Sequence, residues 1–91
     1  MKTIWKYPLE IKNTQSIDIP KGSNLLSVQT QNEVPCLWVF IHNSSAELET
    51  IKLRTIGTGL EITKEDFTPD NFIGTYQLEN GRRVLHVFKA F

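Results

Sequence analysis

Apolar and polar side chains alternate at every second position over most of this chain, and this period restricts the fold more than any other feature. Over 3–11 the odd positions are mostly aromatic or aliphatic and the even positions mostly polar, a pattern typical of a half-buried β-strand. Shorter segments with the same character recur along the sequence. We predict strands at 3–11, 17–19, 25–31, 35–42, 50–55, 72–78 and 83–88.

Proline and glycine mark the ends of several of these strands. Pro8 has no N–H to donate to a neighbouring strand, so the first strand should lie at a sheet edge or break there. Pro20-Lys21-Gly22 predicts a turn, because proline presets its φ angle and glycine accepts a positive one. Asn80-Gly81 supplies both positive φ angles of a type I′ turn and predicts a tight hairpin.

The segment 35–42 is apolar on both faces, which predicts a central strand covered on both sides. Trp5 and Tyr7 share the apolar face of the first strand, and we expect both in the core. Gly57-Thr58-Gly59 interrupts the alternation, which resumes briefly at Leu60 and Ile62. Thr63 and Asp66 have the spacing of a helical capping box, but Pro69 follows too closely for more than about one turn.

These elements predict a single all-β domain over residues 1–91. A small antiparallel β-sandwich or partly open barrel of six to eight short strands, with at most one short helical turn, fits the spacing.

The charge balance weighs against several partners. Lysine plus arginine number 10 and aspartate plus glutamate number 10, so the formal net charge is zero. A protein that neutralises nucleic-acid phosphates usually carries a basic excess, so nucleic acid is not a favoured partner. A net charge near zero permits self-association, and a homo-oligomer is compatible with it. No apolar run approaches the ~20 residues of a membrane helix, so we expect no membrane span and a cytosolic location.

No set of residues predicts catalysis, a metal or another cofactor. Cys36 is the single cysteine, which excludes an internal disulfide and a multi-cysteine zinc site, and its apolar surroundings predict a buried side chain. His42 and His86 fall on different strands with no metal-ligand spacing. The acidic residues Glu61, Glu65, Asp66 and Asp70 lie in a polar segment that reads as a solvated loop.

The candidate ligand-binding set is Arg54, Gly57, Thr58 and Gly59. It combines a cation, a hydroxyl and backbone N–H groups that glycine would leave accessible to a phosphate. The competing interpretation of Gly57-Thr58-Gly59 is a bulge or corner of the β-domain. In phosphate-binding loops a helix follows the glycine-rich turn, and the sequence predicts no helix directly after Gly59.

Several short motifs in order resemble a family of small uncharacterised proteins of bacteriophages and prophages. They include the start Trp5-Lys6-Tyr7-Pro8, the Gly57-Thr58-Gly59 motif and the segment Ile73-Gly74-Thr75-Tyr76-Gln77. The resemblance covers almost the whole chain and implies a phage context without any assigned activity or site residue.

The first hypothesis is therefore a non-enzymatic accessory protein of the host cytoplasm. It would bind a host protein or a small anionic, nucleotide-like signal, and could act as an antagonist of host defence. The alternatives are a structural or assembly protein of the virion and a small nucleic-acid-binding barrel.

Overall fold

The computed structural model of the protein describes residues 1–65 and 67–90. Seven β-strands and two short 3-10 turns, at Pro69–Asn71 and Glu79–Gly81, make up its regular structure. The strands are β1 (Thr3–Pro8), β2 (Thr14–Pro20), β3 (Asn24–Gln31), β4 (Val34–Ile41), β5 (Leu48–Gly57), β6 (Phe72–Leu78) and β7 (Arg83–Lys89).

The strands form two antiparallel sheets that pack face to face. The three-stranded sheet has the order β1-β4-β3 and the four-stranded sheet the order β2-β5-β7-β6. The prediction of a small all-β sandwich is confirmed, and within the described residues the sheets do not close into a barrel. In the same ranges, no helix is both long and apolar enough to cross a bilayer.

Pro8 ends β1 at the edge of the three-stranded sheet, as predicted. The N–H of Leu9 donates to the carbonyl of Pro35 at 2.8 Å, so the backbone N–H and C=O groups of odd-numbered residues in β1 point toward β4. The backbone groups of even-numbered residues therefore point away from β4. Pro8 is one of these residues, so its missing N–H costs the sheet no hydrogen bond.

The turns form through residues that tolerate positive φ angles. Gly22 has φ 84° between β2 and β3. At the β6–β7 hairpin, Asn80 has φ 56° and ψ 37°, Gly81 has φ 86°, and the N–H of Arg82 donates to the carbonyl of Glu79 at 3.2 Å. These angles and this bond are those of the predicted type I′ turn. The hairpin is less tight than predicted, because Glu79 also has a positive φ of 54° and the last strand pair is Leu78 with Arg83, which leaves a loop over 79–82.

The core consists of the inner faces of both sheets. Alternate residues of β4 and β5 point inward and are almost completely buried, which explains the period of two in the sequence. The buried apolar cluster contains Leu9, Ile19, Val28, Leu37, Val39, Ile41, Ile51, Leu53, Tyr76, Leu78 and Val87.

Three local predictions are not fully confirmed: the burial of Trp5, a strand at Leu60 and Ile62, and the capping box. Tyr7 packs against the core, but Trp5 is 38% exposed because it lies on the inner side of an edge strand that the opposite sheet does not fully cover. Leu60 and Ile62 form no strand and are exposed. The capping box depends on Asp66, which lies outside the described residues, as does the last aromatic, Phe91.

The two sheets approach most closely where the edge strands β3 and β6 meet. A Cβ atom added to Gly74 would lie 2.9 Å from the backbone nitrogen of Val28 and 3.3 Å from its Cβ. Only glycine fits such a distance between two backbones. This contact closes one side of the sandwich.

We expect Gly74→Ala to destabilise the fold by about 1–3 kcal/mol, because the new methyl group overpacks the contact between the sheets. The free energy of unfolding from denaturant titration measures the loss. Gly57→Ala is the matched control, since its Cβ would meet only ordinary contacts, the nearest being Leu60 Cδ1 at 3.5 Å. Equal stability of Gly74→Ala and wild type would contradict the close approach.

Burial raises the pKa of Tyr76, with a smaller opposing effect from the positive charge of Arg83, and burial also raises the pKa of Tyr7. The unfolded chain therefore loses its tyrosine protons first, so the stability that these tyrosines contribute should be fully present below about pH 10 and be lost above it. Tyr76→Phe should reduce the slope of this decline, which denaturant titrations at several alkaline pH values would measure. An unchanged slope would contradict the role of Tyr76.

Candidate functional site

The predicted Gly57-Thr58-Gly59 motif forms the corner that follows β5. Gly57 is the last residue of β5 and pairs with Leu85, while Gly59 has φ 87°. The N–H of Thr58 donates to the carbonyl of Val84 at 3.2 Å, and the N–H of Leu60 donates to the carbonyl of Gly57 at 3.3 Å. Two backbone donors of this corner are thus already used within the protein, which weakens its case as a phosphate cradle.

The Thr58 hydroxyl is held by His86. Thr58 Oγ1 lies 2.6 Å from His86 Nε2, and Thr75 Oγ1 lies 2.9 Å from His86 Nδ1. A neutral imidazole has one donor and one acceptor nitrogen, so one threonine accepts a hydrogen bond from the ring and the other donates one. The two Gly-Thr pairs of the sequence, one after β5 and one in β6, therefore meet at a single side chain of β7.

Arg54 lies on the outer face of the four-stranded sheet, opposite Phe88 in the register of β5 and β7. It lines a pocket of about 370 Å³, and its side chain already interacts with another part of the chain. Gly57, Thr58 and Gly59 are not among the residues that line this pocket, which are Asn13, Thr14, Arg54, Thr55, Ile56, Leu60, Glu61, Lys64 and Phe67. Of the four predicted site residues, only Arg54 therefore lines this pocket.

The other chemically active side chains are dispersed. Cys36 is buried, as predicted, and its Sγ lies 3.5 Å from the carbonyl oxygen of Val34. His42 lies beside β3, with Nε2 at 2.5 Å from Asn24 Oδ1. Glu61, Glu65 and Asp70 are exposed. Over residues 1–65 and 67–90, no three histidine, cysteine or acidic side chains are grouped as metal ligands would be.

A surface that the sequence analysis missed lies on the outer face of the three-stranded sheet. Trp38 and Phe40 are half-buried on the central strand β4, where the prediction placed a second covering layer. Ile4 pairs with Phe40 and is 54% exposed, and Lys6 pairs with Trp38. We call this surface, formed by Ile4, Lys6, Trp38 and Phe40, the aromatic face.

The aromatic face has very little charge. Lys6 is the only charged residue in β1, β3 and β4, all of whose residues are described. Its Nζ donates to Gln31 Oε1 at 2.5 Å, which ties the ammonium group to the far strand across β4. The ring of His42 lies against Phe40, with the ring centroids 4.8 Å apart. Aromatic side chains with few charges around them are typical of the centres of protein–protein interfaces.

One signal in the sequence could have located this face. The strand 35–42 is apolar on both faces, which fits either a covering layer or an exposed recognition surface. Seven strands divided into three and four leave no described element to cover the outer side of β4. The division into sheets, which the strand pattern does not reveal, decides between the two.

A family model described as "Domain of unknown function (DUF7352)" matches residues 1–90. The chain belongs to this family. No curated protein and no solved structure matches the chain. Membership in the family thus accounts for almost the whole domain and assigns no activity to it.

We expect Thr58→Val to destabilise the protein by about 0.5–1.5 kcal/mol, because it removes the hydroxyl that bonds to His86 and also donates to the Val84 carbonyl at 3.4 Å, without changing the side-chain shape. Thr14→Val is the control, since Thr14 is an exposed strand threonine whose hydroxyl bonds to no described residue. In a double-mutant cycle of denaturation free energies with His86→Leu, the effects should be non-additive. Additive losses would show that the two side chains act independently.

Proposed function

We propose that this protein is a non-enzymatic accessory protein of a phage or prophage that binds a host protein in the host cytoplasm through its aromatic face. The phage context rests on the resemblance of the motifs that begin at Trp5, Gly57 and Ile73. Capture of a host protein, with host-defence proteins as the expected partners, would occlude the surface by which that protein works.

The observation that carries the proposal is the apolar surface formed by the exposed Ile4 and the half-buried Trp38 and Phe40. Large exposed apolar patches on small domains mark interaction sites, because leaving such surface in water costs free energy that a partner recovers. Tryptophan at the centre of an interface contributes more binding free energy than most residue types. Ile4 beside Phe40 extends the apolar area to the edge strand.

This surface supports a protein partner better than the corner after β5 supports a nucleotide. The corner uses the N–H groups of Thr58 and Leu60 internally, whereas the aromatic face has no competing layer among the described residues. A nucleic-acid strand would require several cations along its path, and the strands of this face provide only Lys6.

The test compares four tagged forms of the protein, wild type and three variants, expressed at equal levels in infected host cells. Ile4→Glu and Trp38→Ala alter the aromatic face, and Leu60→Glu is the matched control, since Leu60 is 66% exposed on the other side of the sandwich. We expect wild type and Leu60→Glu to co-purify the same host protein. Its binding to purified Ile4→Glu should be at least roughly tenfold weaker, because an acidic group enters an apolar contact.

Salt dependence, self-association and recovery in phage particles could each contradict the proposal. Binding of the purified pair should change little between about 50 and 200 mM salt, since few charges meet, whereas a steep loss would indicate nucleic-acid binding. Self-association of the purified protein that Ile4→Glu abolishes would assign the face to a homo-oligomer. Recovery of the protein in purified phage particles would favour the role in the virion.

A further inference from the structure

A groove lies at one end of the sandwich, well away from the corner after β5. Its volume is about 730 Å³. Residues from both sheets and from the 3-10 turn before β6 line it, namely Leu25, Leu26, Glu49, Thr50, Ile51, Lys52, Asp70, Asn71, Phe72, Ile73, Lys89 and Ala90.

Both edge strands have a bulge at residues that line the groove. β3 shifts register between Leu25 and Ser27, and β6 shifts register between Phe72 and Gly74. Beside these bulges the two strands touch at Val28 and Gly74, where no Cβ fits between them. Bulges bend a strand and increase its twist, so the two edges diverge from this contact and leave the groove between them.

The walls of the groove include backbone without a ladder partner. The bulges leave Leu26 without a partner residue on β4 and Ile73 without one on β7. β5 pairs with β2 over Leu48–Arg54, but within the described residues its pairing with β7 begins at Leu53, preceded by a bond from Ala90 N–H to the Lys52 carbonyl at 2.8 Å. The first four residues of β5 therefore have a described partner strand on one side only.

The alternation of hydrogen bonds indicates which backbone groups face the groove. The N–H of Thr55 donates to Asn13 and the carbonyl of Glu47 accepts from Lys21, so odd positions of this segment face β2. Lys52, at an even position, faces β7. Thr50 then directs its N–H and carbonyl toward the groove, as in any antiparallel ladder.

The side chains of the groove suit an extended chain more than a charged small molecule. Ile51 and Ala90 are buried and Leu25 and Ile73 pack on the core, which gives an apolar floor. Leu26 and Phe72 are 48% and 47% exposed at the rim. The charged residues are two acids, Glu49 and Asp70, and two lysines, Lys52 and Lys89, so their formal charges cancel. A polyanion gains little from such a set, whereas an uncharged backbone with alternating apolar side chains matches it.

We propose that this groove binds an extended peptide segment of a partner protein by strand addition to β5. Backbone groups of the peptide would pair with Thr50 along the ~13 Å of the first four residues of β5, at about 3.3 Å per residue. Apolar side chains at every second position would contact Leu26 and Phe72. This site does not depend on the aromatic face and involves none of its residues.

Selection from a displayed library of random peptides of about 12 residues tests the proposal on the full chain. We expect enriched peptides with apolar residues at alternate positions. A synthetic copy should shift the backbone amide resonances of Thr50, Leu26 and Ile73 and slow their hydrogen exchange. Its Kd should rise at least roughly tenfold for Leu26→Glu and Phe72→Glu, and remain unchanged for Ile4→Glu, which alters only the aromatic face.

A second form of the peptide tests the backbone contact without any change in the protein. N-methylation of alternate residues removes the donors that would pair with β5, and methylation in one register should abolish binding while the other register retains it. Failure to enrich any peptide, or equal binding of both methylated forms, would overturn the proposal. Shifts of the same amides on addition of ATP without peptide binding would also overturn it, in favour of an anionic ligand. Loss of host-protein capture by Ile4→Glu would not bear on it.

Discussion

The contact between Val28 and Gly74 is the point on which the architecture depends. Two edge strands from different sheets approach so closely there that a methyl group would collide with backbone. The contact closes one side of the core, and the strands separate beside it because each has a bulge. The same glycine thus closes the hydrophobic interior and lies beside the groove between β3 and β6. A small domain buries a limited fraction of its surface, so closure at this edge matters more here than in a larger protein.

Charge is distributed unequally between the two sheets, although the whole chain has a formal net charge of zero. The strands of the three-stranded sheet carry one lysine and no acid. In the other sheet β2 carries an acid, β7 carries two basic residues and β5 carries both signs. Solubility can therefore be maintained by one side of the sandwich while the other presents aromatic rings. This division gives the two proposed interaction sites different physical characters: the aromatic face relies on apolar burial, and the groove adds unpaired backbone.

Prediction of the site from the sequence was least successful where it required hydrogen-bonding groups to be free for a ligand. Gly57-Thr58-Gly59 has the composition of an anion-binding turn. The N–H of Thr58, however, donates to the carbonyl of Val84, a residue distant in sequence. The Thr58 hydroxyl is engaged by His86, and Arg54 also has a partner within the chain. Residue type indicates what a side chain could bind, but long-range pairing decides whether the group is still free to do so. Trp38 and Phe40 were missed for the converse reason, since an apolar strand does not indicate how many layers cover it.

The sequence by itself determined most local features: the positions of the strands, the turns at Gly22 and Asn80-Gly81, the edge location of Pro8 and the burial of Cys36. These follow from side-chain alternation and from backbone angles that only certain residues adopt, both of which act over a few residues. Only the tertiary structure decided the division into three and four strands, the exposure of Trp5, the half-buried position of Trp38, and the convergence of two threonines on His86. Pairing between strands is chosen by the packing of the whole core, so no local pattern specifies it.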